Sequence, residues 1–385
     1  MASSSSSGSS GEALSPASKL FHLPNFNCHV IAVLGFKTAI NLQVFKEGAR
    51  ETILKHPKFT SKLTSLTNKA IFDSVIHAKR RESVGVFRMH HSMGDGISLM
   101  SFIIASTRKS SDPDALPTMS SSTKKKEQKS GGLRFFMSLF GPFLAVWWGL
   151  VLIWHTFMSL MGFLAIFFFK ETRTPLKGAP GVEHNTNCYV HRILCINDIK
   201  LLKKEMNVTF NDVLLAITQA GITRYLNRQQ FGANATGSAA KKGTNSALKN
   251  IRLRAAIAVN LRAVSGIQAV ADMTAKKSKV RWGNFIGYFL LPLSISLQED
   301  PLEHVRQAKV VIERKKHSLE AVITFNFGKL ILNLFGVKAV AAITRRILSN
   351  TTLVLSNLPG PIEEVTLCGH LLAYIAPGAY GGLPQ

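Results

Sequence analysis

Residues 135–169 contain no Asp, Glu, Lys or Arg, and His155 is their only ionisable side chain. Arg134 and Lys170 flank them. A bilayer is crossed by about 20 apolar residues, so the stretch is long enough to span one. Trp147, Trp148 and Trp154 are side chains of the kind that settle at a membrane–water boundary. A buried core helix is the alternative, but such helices are rarely so long and so uniformly apolar. A segment of this kind divides the chain into a part before it and a part after it.

The part before it opens with a Ser-rich stretch, residues 1–12, read as a disordered tail rather than a secretory signal. Patterned sequence follows over residues 13–108. Phe26 to Leu34 reads as a strand, Asn41 to His56 as a helix and Val84 to His90 as a second strand. That strand runs into a turn, Ser92 to Gly96, and an apolar helix, Ile97 to Ser106. Residues 109–134, rich in Ser, Lys, Pro and Gly, read as a linker. After the apolar segment, residues 185–385 form the second folded unit. It holds a helix at Asn211 to Arg228 and a basic insertion at Ala233 to Lys249. Strands follow at Arg254 to Leu261 and Phe285 to Leu297, a helix at Pro301 to Leu319, and a strand from Thr351 into the turn at Ser356 to Pro361.

The chemistry concentrates in His90-His91-Ser92-Met93-Gly94-Asp95-Gly96. A neutral imidazole is the side chain best placed to deprotonate a hydroxyl near pH 7 as the hydroxyl attacks an acyl thioester. Here one is delivered at the end of a rigid strand. Strand alternation turns His90 away from His91, which leaves His91 for catalysis and His90 for structure. Asp95 can brace the loop by pairing with a cation or capping backbone amides, and Gly96 is expected where the backbone needs a positive φ. Two other readings compete. Histidines on opposite strand faces chelate one ion poorly, which argues against a metal site, and the motif could be accidental.

The net charge of +25 points to anionic partners. Small basic clusters at 79–81, 124–126, 276–281 and 314–316 do not alternate with aromatics as a nucleic-acid platform would, so no nucleic acid is expected. The four cysteines make no CxxC pair, which fits a reducing compartment or a cytosolic membrane face.

Several strings resemble the plant bifunctional wax ester synthase/diacylglycerol acyltransferase family: LSPASKLFHLPNFNCHVIAV, ESVGVFRMHHSMGDGISLMS, SDPDALPT, NDVLLAITQAGITRYL, RAAIAVNLR, WGNFIGYFLLPL and LVLSNLPGPIEEVTLCGHLLAYIAPGAYGG. The similarity covers most of residues 12–110 and 185–383. The resemblance implies an α/β protein with the CoA-dependent, chloramphenicol acetyltransferase-like fold, in which two α/β subdomains meet at a tunnel. It implies O-acyl transfer from acyl-CoA to a long-chain alcohol, a diacylglycerol or both, with no cofactor beyond the acyl-CoA substrate. By the same resemblance His91 is the general base and Asp95 a support, while Asn211, Asp212, Asn284, Ser356 and Asn357 line or brace the site. Membrane lipids are further partners, the endoplasmic reticulum membrane is the expected location with the plasma membrane as the alternative, and the oligomeric state stays open.

The sequence departs from the family pattern twice. Between residues 63 and 82 it has only a short, poorly matching stretch without the family's Pro-Leu-Trp string, and it stops at Gln385 where relatives continue. The alternative function is therefore a catalytically incompetent lipid-binding or interaction protein derived from the family. The DFGWG string of the soluble plant acyltransferases is absent, and nothing resembles the carrier modules that accompany condensation domains. Finally, His91 precedes the apolar segment whereas Asn211 and Asn357 follow it. If they share one site, the segment is expected to be re-entrant, hairpin-like or interfacial, with Gly141-Pro142, Gly149 and Gly162 as break points.

Overall fold

A computed structural model describes residues 16–52, 73–78, 83–118, 131–178, 188–231, 248, 250–262 and 283–381. The Ser-rich tail, the linker from 119 to 130, nearly all of the basic insertion and the basic clusters at 79–81, 124–126 and 276–281 lie outside these residues.

Two sheets organise the rest. In the first, β1 (His29–Phe36) runs antiparallel to β3 (Ser83–His90), with Ala32 opposite Phe87. β3 pairs on its outer side with β2 (Asp73–Ala78). The other side of β1 pairs with β9 (His370–Tyr380), and the sheet continues through β8 (Val365–Leu367) to β4 (Thr107–Lys109). The alternation in β3 turns Phe87 and Met89 inward and leaves Arg88 and His90 on the opposite face. Phe87 and Met89 pack with Val30, Leu34 and Phe36 against Leu99 and Phe102 of α3 (Gly96–Ala105) and Phe45 of α2 (Leu42–Thr52). Each such fully buried side chain contributes about 1.5–3 kcal/mol. A short first helix, α1 (Pro16–Leu20), precedes β1.

The second sheet has the order β6 (Ile286–Leu293), β5 (Leu253–Asn260), β7 (Leu353–Leu355), with β5 antiparallel to β6 and parallel to β7. One face presents Leu253, Ala255, Leu291 and Leu293 to a core that includes Ile199, Leu215 and Ile312. These come from α5 (Ile196–Glu205), α6 (Phe210–Phe231) and α7 (Leu302–Lys316). The other face presents Ala256 and Leu290 to Phe163 and Ile166 of α4 (Gly131–Phe168) and Ile347 of α8 (Glu320–Leu348).

This α/β architecture of two sheets is the expected fold class, but the strand assignment crosses the expected division of the chain. β8 and β9 follow residue 185 in sequence yet belong to the first sheet, where β9 is central. A strand's pattern states that it is a strand and not which sheet completes its hydrogen bonds. The linker also starts later than expected: Lys109 is in a strand, and Thr118 donates through its backbone N–H to Glu363 at 2.8 Å.

The apolar segment is one continuous 38-residue helix, about 57 Å long. None of the expected break points interrupts it, so the hairpin reading is set aside. An uninterrupted helix satisfies its own backbone groups, which apolar surroundings otherwise leave unpaired. Its C-terminal half is docked along one stripe, Thr156, Ser159, Phe163 and Ile166, at helical spacing. Thr156 Oγ1 accepts from the Leu319 N–H at 3.0 Å, and Ser159 bonds the buried carboxylate of Glu320. Glu320 also accepts from the Leu290 N–H at 3.1 Å and pairs with Lys315 at 2.5 Å. The helix is thus fixed to the second sheet by a polar hub as well as by apolar contact.

Candidate active site

β3 ends at His90, a single 3-10 turn covers His91–Met93, and α3 begins at Gly96. The turn is pinned through its main chain. The His91 N–H donates to the Cys28 carbonyl at 2.9 Å, and the His91 carbonyl accepts from Asn284 Nδ2 at 2.9 Å. Asn284 is fully buried, and the same amide nitrogen donates to Ser18 Oγ at 2.9 Å. One side chain from the second half therefore holds the His91 turn and the N-terminal helix together. His91 is half-buried, with its ring Nδ1 buried and without a hydrogen-bond partner among the described residues, and the ring stacks on Phe21 with centroids 4.2 Å apart. Burial holds its pKa below the ordinary value and outweighs the opposing effects of its own main chain, Asp95 and Asn284. The imidazole is consequently neutral at pH 7.

Asp95 makes no hydrogen bond to His91; it ties the motif to the second half. Its Oδ1 caps α3 by accepting from the Ser98 N–H at 2.9 Å. Its Oδ2 accepts from the Phe285 N–H at 3.0 Å and from Arg262 Nη1 at 2.7 Å. The ion pair is buried, with side-chain exposures of 3% for Asp95 and 5% for Arg262. Arg262 also donates to Asn260 Oδ1, Ser98 Oγ and the Gly283 carbonyl. That carbonyl accepts as well from the Asp95 N–H at 3.3 Å and from Ser98 Oγ at 3.1 Å. Gly283 has φ 123°, a conformation that side-chain-bearing residues rarely adopt.

His90 points the other way. Its Nδ1 lies 2.6 Å from Ser92 Oγ and its Nε2 3.1 Å from Asn27 Oδ1. His22 stacks on it at 5.0 Å, and His29 meets it edge-on at 5.1 Å. Burial, then the neighbouring His22, His29 and His91, push its pKa down to about 4. In the unfolded chain a histidine titrates near 6.5. The folded state therefore binds fewer protons between these values, and stability is lost as the pH falls from about 6.5 towards 4. His90→Asn is expected to flatten this part of the profile. Urea midpoints of the two proteins between pH 7.5 and 5 check it; identical slopes would contradict the assignment.

Gly96 has no positive φ, contrary to expectation. A Cβ there would lie 2.9 Å from Leu358 Cδ1, so the requirement is for space rather than for backbone conformation. Leu358 belongs to the turn of Ser356 and Asn357, both exposed, and Asn357 Nδ2 donates to Asn211 Oδ1 at 2.8 Å. Asn211, Asn357 and Gly96 are thereby linked through one turn. Asp212 is buried and braces the start of α6, its Oδ2 accepting from the Thr209 N–H at 2.6 Å. It holds the helix that carries Asn211. Ser18, Phe21, Ser98 and Arg262 were not singled out in the sequence, although Arg262 closes the string RAAIAVNLR and Phe21 lies in LSPASKLFHLP.

Residues 282–384, which include Asn284 and Asn357, match the WS/DGAT C-terminal domain family. The chain is 40% identical over 421 aligned positions to wax ester synthase/diacylglycerol acyltransferase 11 of Arabidopsis thaliana, covering 96% of this chain and 85% of the relative. It is 39% identical to wax ester synthase/diacylglycerol acyltransferase 5 of the same plant, over 96% of this chain and 84% of the relative. Both alignments are longer than this chain of 385 residues, so the relatives carry residues that it lacks. A solved wax ester synthase/diacylglycerol acyltransferase from Marinobacter aquaeolei VT8 aligns with 96% of this chain and 88% of its own at a TM-score of 0.48 and 14% identity. Identity of this order over nearly the whole length places the chain in the wax ester synthase/diacylglycerol acyltransferase family of acyltransferases.

Proposed function

We propose that this enzyme moves a fatty acyl group from acyl-CoA to a long-chain alcohol, a diacylglycerol or both, with His91 as the general base. The observation that carries the proposal is a neutral imidazole on a half-buried residue whose main chain is anchored by the first half through Cys28 and by the second through Asn284. Nε2 takes the proton of the acceptor hydroxyl while its oxygen bonds to the thioester carbonyl carbon. The tetrahedral intermediate then collapses, the C–S bond breaks, and the imidazolium returns the proton to the CoA sulfur. Asp95, Arg262 and Asn284 act by position: they hold the strand end and α3 against the second half, where a tunnel for the two substrates would open.

Two helices, Phe143–Phe168 and Glu320–Leu348, are long and apolar enough to cross a membrane. Their exposed apolar side chains support work at a lipid surface, where such acceptors are concentrated. The free cysteines Cys28, Cys188, Cys195 and Cys368 fit the cytosolic face of the endoplasmic reticulum membrane, the compartment proposed here.

Purified chain in detergent, given labelled acyl-CoA with hexadecanol or with diacylglycerol, is expected to form ester from at least one acceptor. Folded protein that yields ester from neither would reject the proposal in favour of a lipid-binding descendant without activity.

A further inference from the structure

The far end of the second sheet carries a feature that the transfer reaction does not use. β5 and β6 reach the His91 region at their Asn260 and Ile286 ends. At the opposite end, about 25 Å along the strands, lies a cavity of about 520 Å³. Its polar lining is Arg252, Arg254, Ser294, Ser296 and Gln307, over a floor that includes Leu253 and Leu293.

The two apolar helices finish at this same end. Arg346 Nη2 donates to the Phe167 carbonyl at 2.8 Å, Asn350 Nδ2 to the Ile166 carbonyl at 3.2 Å, and Arg254 Nη1 to the Phe169 carbonyl at 3.2 Å. The C-termini of α4 and α8 are therefore side by side at the rim of the cavity. Lys170, Arg173, Arg252, Arg345 and Arg346 are exposed there. Arg254 and Arg346 serve the carbonyls of α4, whereas the side chains of Lys170, Arg173, Arg252 and Arg345 have no ion pair among the described residues. Glu171 is taken up by the Arg254 N–H and Thr352 Oγ1, and Glu303, bonded to Gln307, pairs with Arg306.

Both helices cover the same face of the sheet, so their outward sides lie on one side of the molecule. Phe143, Ile153, Trp154 and Phe168 on α4 and Leu334 and Phe335 on α8 are each more than 60% exposed. A spanning orientation of α4 would pull its docked neighbours into hydrocarbon. These include α7, whose Glu313, Arg314 and Lys316 are exposed, and the Lys315–Glu320 pair. Charged groups are excluded from that depth. Lying in the plane of the interface lets the apolar sides enter the lipid while the basic rim stays at headgroup level.

We infer that α4 and α8 dock in-plane on a membrane, and that the Arg252–Arg254 cavity at their shared end receives the headgroup of an anionic phospholipid. Guanidinium groups hold phosphate oxygens through paired N–H donors, and the neighbouring apolar helices accommodate the acyl chains. This inference does not depend on the proposed reaction, because membrane binding is read without turnover.

The test is flotation of the full chain with vesicles of phosphatidylcholine alone or containing phosphatidylserine, at about 0.15 M salt. The wild-type protein is expected to prefer the anionic vesicles. Each basic residue at such a surface is worth about fivefold in partition, so R252Q/R345Q should lower binding to anionic vesicles roughly 25-fold. R252K, which keeps the charge but loses the paired donors, should bind less than wild type but more than R252Q. K203Q/K204Q removes the same charge on α5, whose Ile199 packs on the opposite face of the sheet, and should change binding by under about twofold. Equal binding to both vesicle types, or an equal loss in the α5 variant, would overturn the inference. So would inorganic phosphate raising the melting temperature of wild type but not of R252Q/R345Q while lipid composition makes no difference, since that assigns the cavity to a free anion.

Discussion

Replacing His91 by alanine is expected to lower the rate of acyl transfer by about 10²- to 10⁴-fold, the usual worth of a positioned general base. The fold should survive. The structural bonds of residue 91 are made by its main chain, to Cys28 and Asn284, and an alanine retains both. The ring adds the stack on Phe21 and an interaction with the Asn284 side chain. Unchanged circular dichroism and urea midpoint beside lost turnover would therefore identify a chemical defect. The pH profile separates this role from a merely structural one. Burial sets the His91 pKa below the ordinary value of 6.5, so the wild-type rate should be flat from pH 7 to 8 and decline on acidification as the imidazole takes up a proton. The residual activity of His91→Ala should lack that acidic limb. A variant that turns over at the wild-type rate would remove His91 from the reaction.

What the sequence disclosed depended on how local each signal was. The strand to His90, the turn and the α3 helix are short-range patterns, and the motif could be read from consecutive residues. His90 facing away from His91 follows from the two-residue period of a strand alone. The space requirement at Gly96 could not be read, because the side chain that imposes it, Leu358, lies 262 residues further on. The same holds for Arg262. An arginine after a strand is unremarkable until folding brings it to Asp95, 167 residues away in sequence. β9 lay within a family-like string but was not read as a strand, and its place as the central partner of β1 could not be read at all, since pairing is a property of two segments. The apolar stretch shows the limit most clearly. Its composition raises the expectation of lipid contact, yet Gly141-Pro142 does not break it, and only the docked stripe from Thr156 to Ile166 shows which side faces protein.

The Asp95–Arg262 pair should give the largest loss of stability at the site. Arg262→Met leaves a carboxylate that is almost fully buried without its cation, which costs about 3–5 kcal/mol when a buried ion pair is broken from one side. It also removes one donor each from the Gly283 carbonyl and Ser98 Oγ, which keep their bond to each other. Asp95→Asn should also lose stability, because its single amide oxygen can cap α3 or accept from the Phe285 N–H but not both, and Arg262 loses its anion. In the double variant the unpaired charge is gone, so its loss should fall short of the sum of the two single losses. Arg262→Lys should rescue poorly: an ammonium cannot reproduce the planar fork that reaches Asp95 and Asn260 through one nitrogen and Ser98 and Gly283 through the other. Turnover should fall with stability in Arg262→Met, because the bonds lost are those that hold α3 and the Gly283–Phe285 segment together, and Asn284 of that segment holds His91. Urea unfolding of the four variants supplies the cycle. Simple additivity of the losses would show that the two residues stabilise the chain independently, and the hub would then not be the link that sets the position of His91.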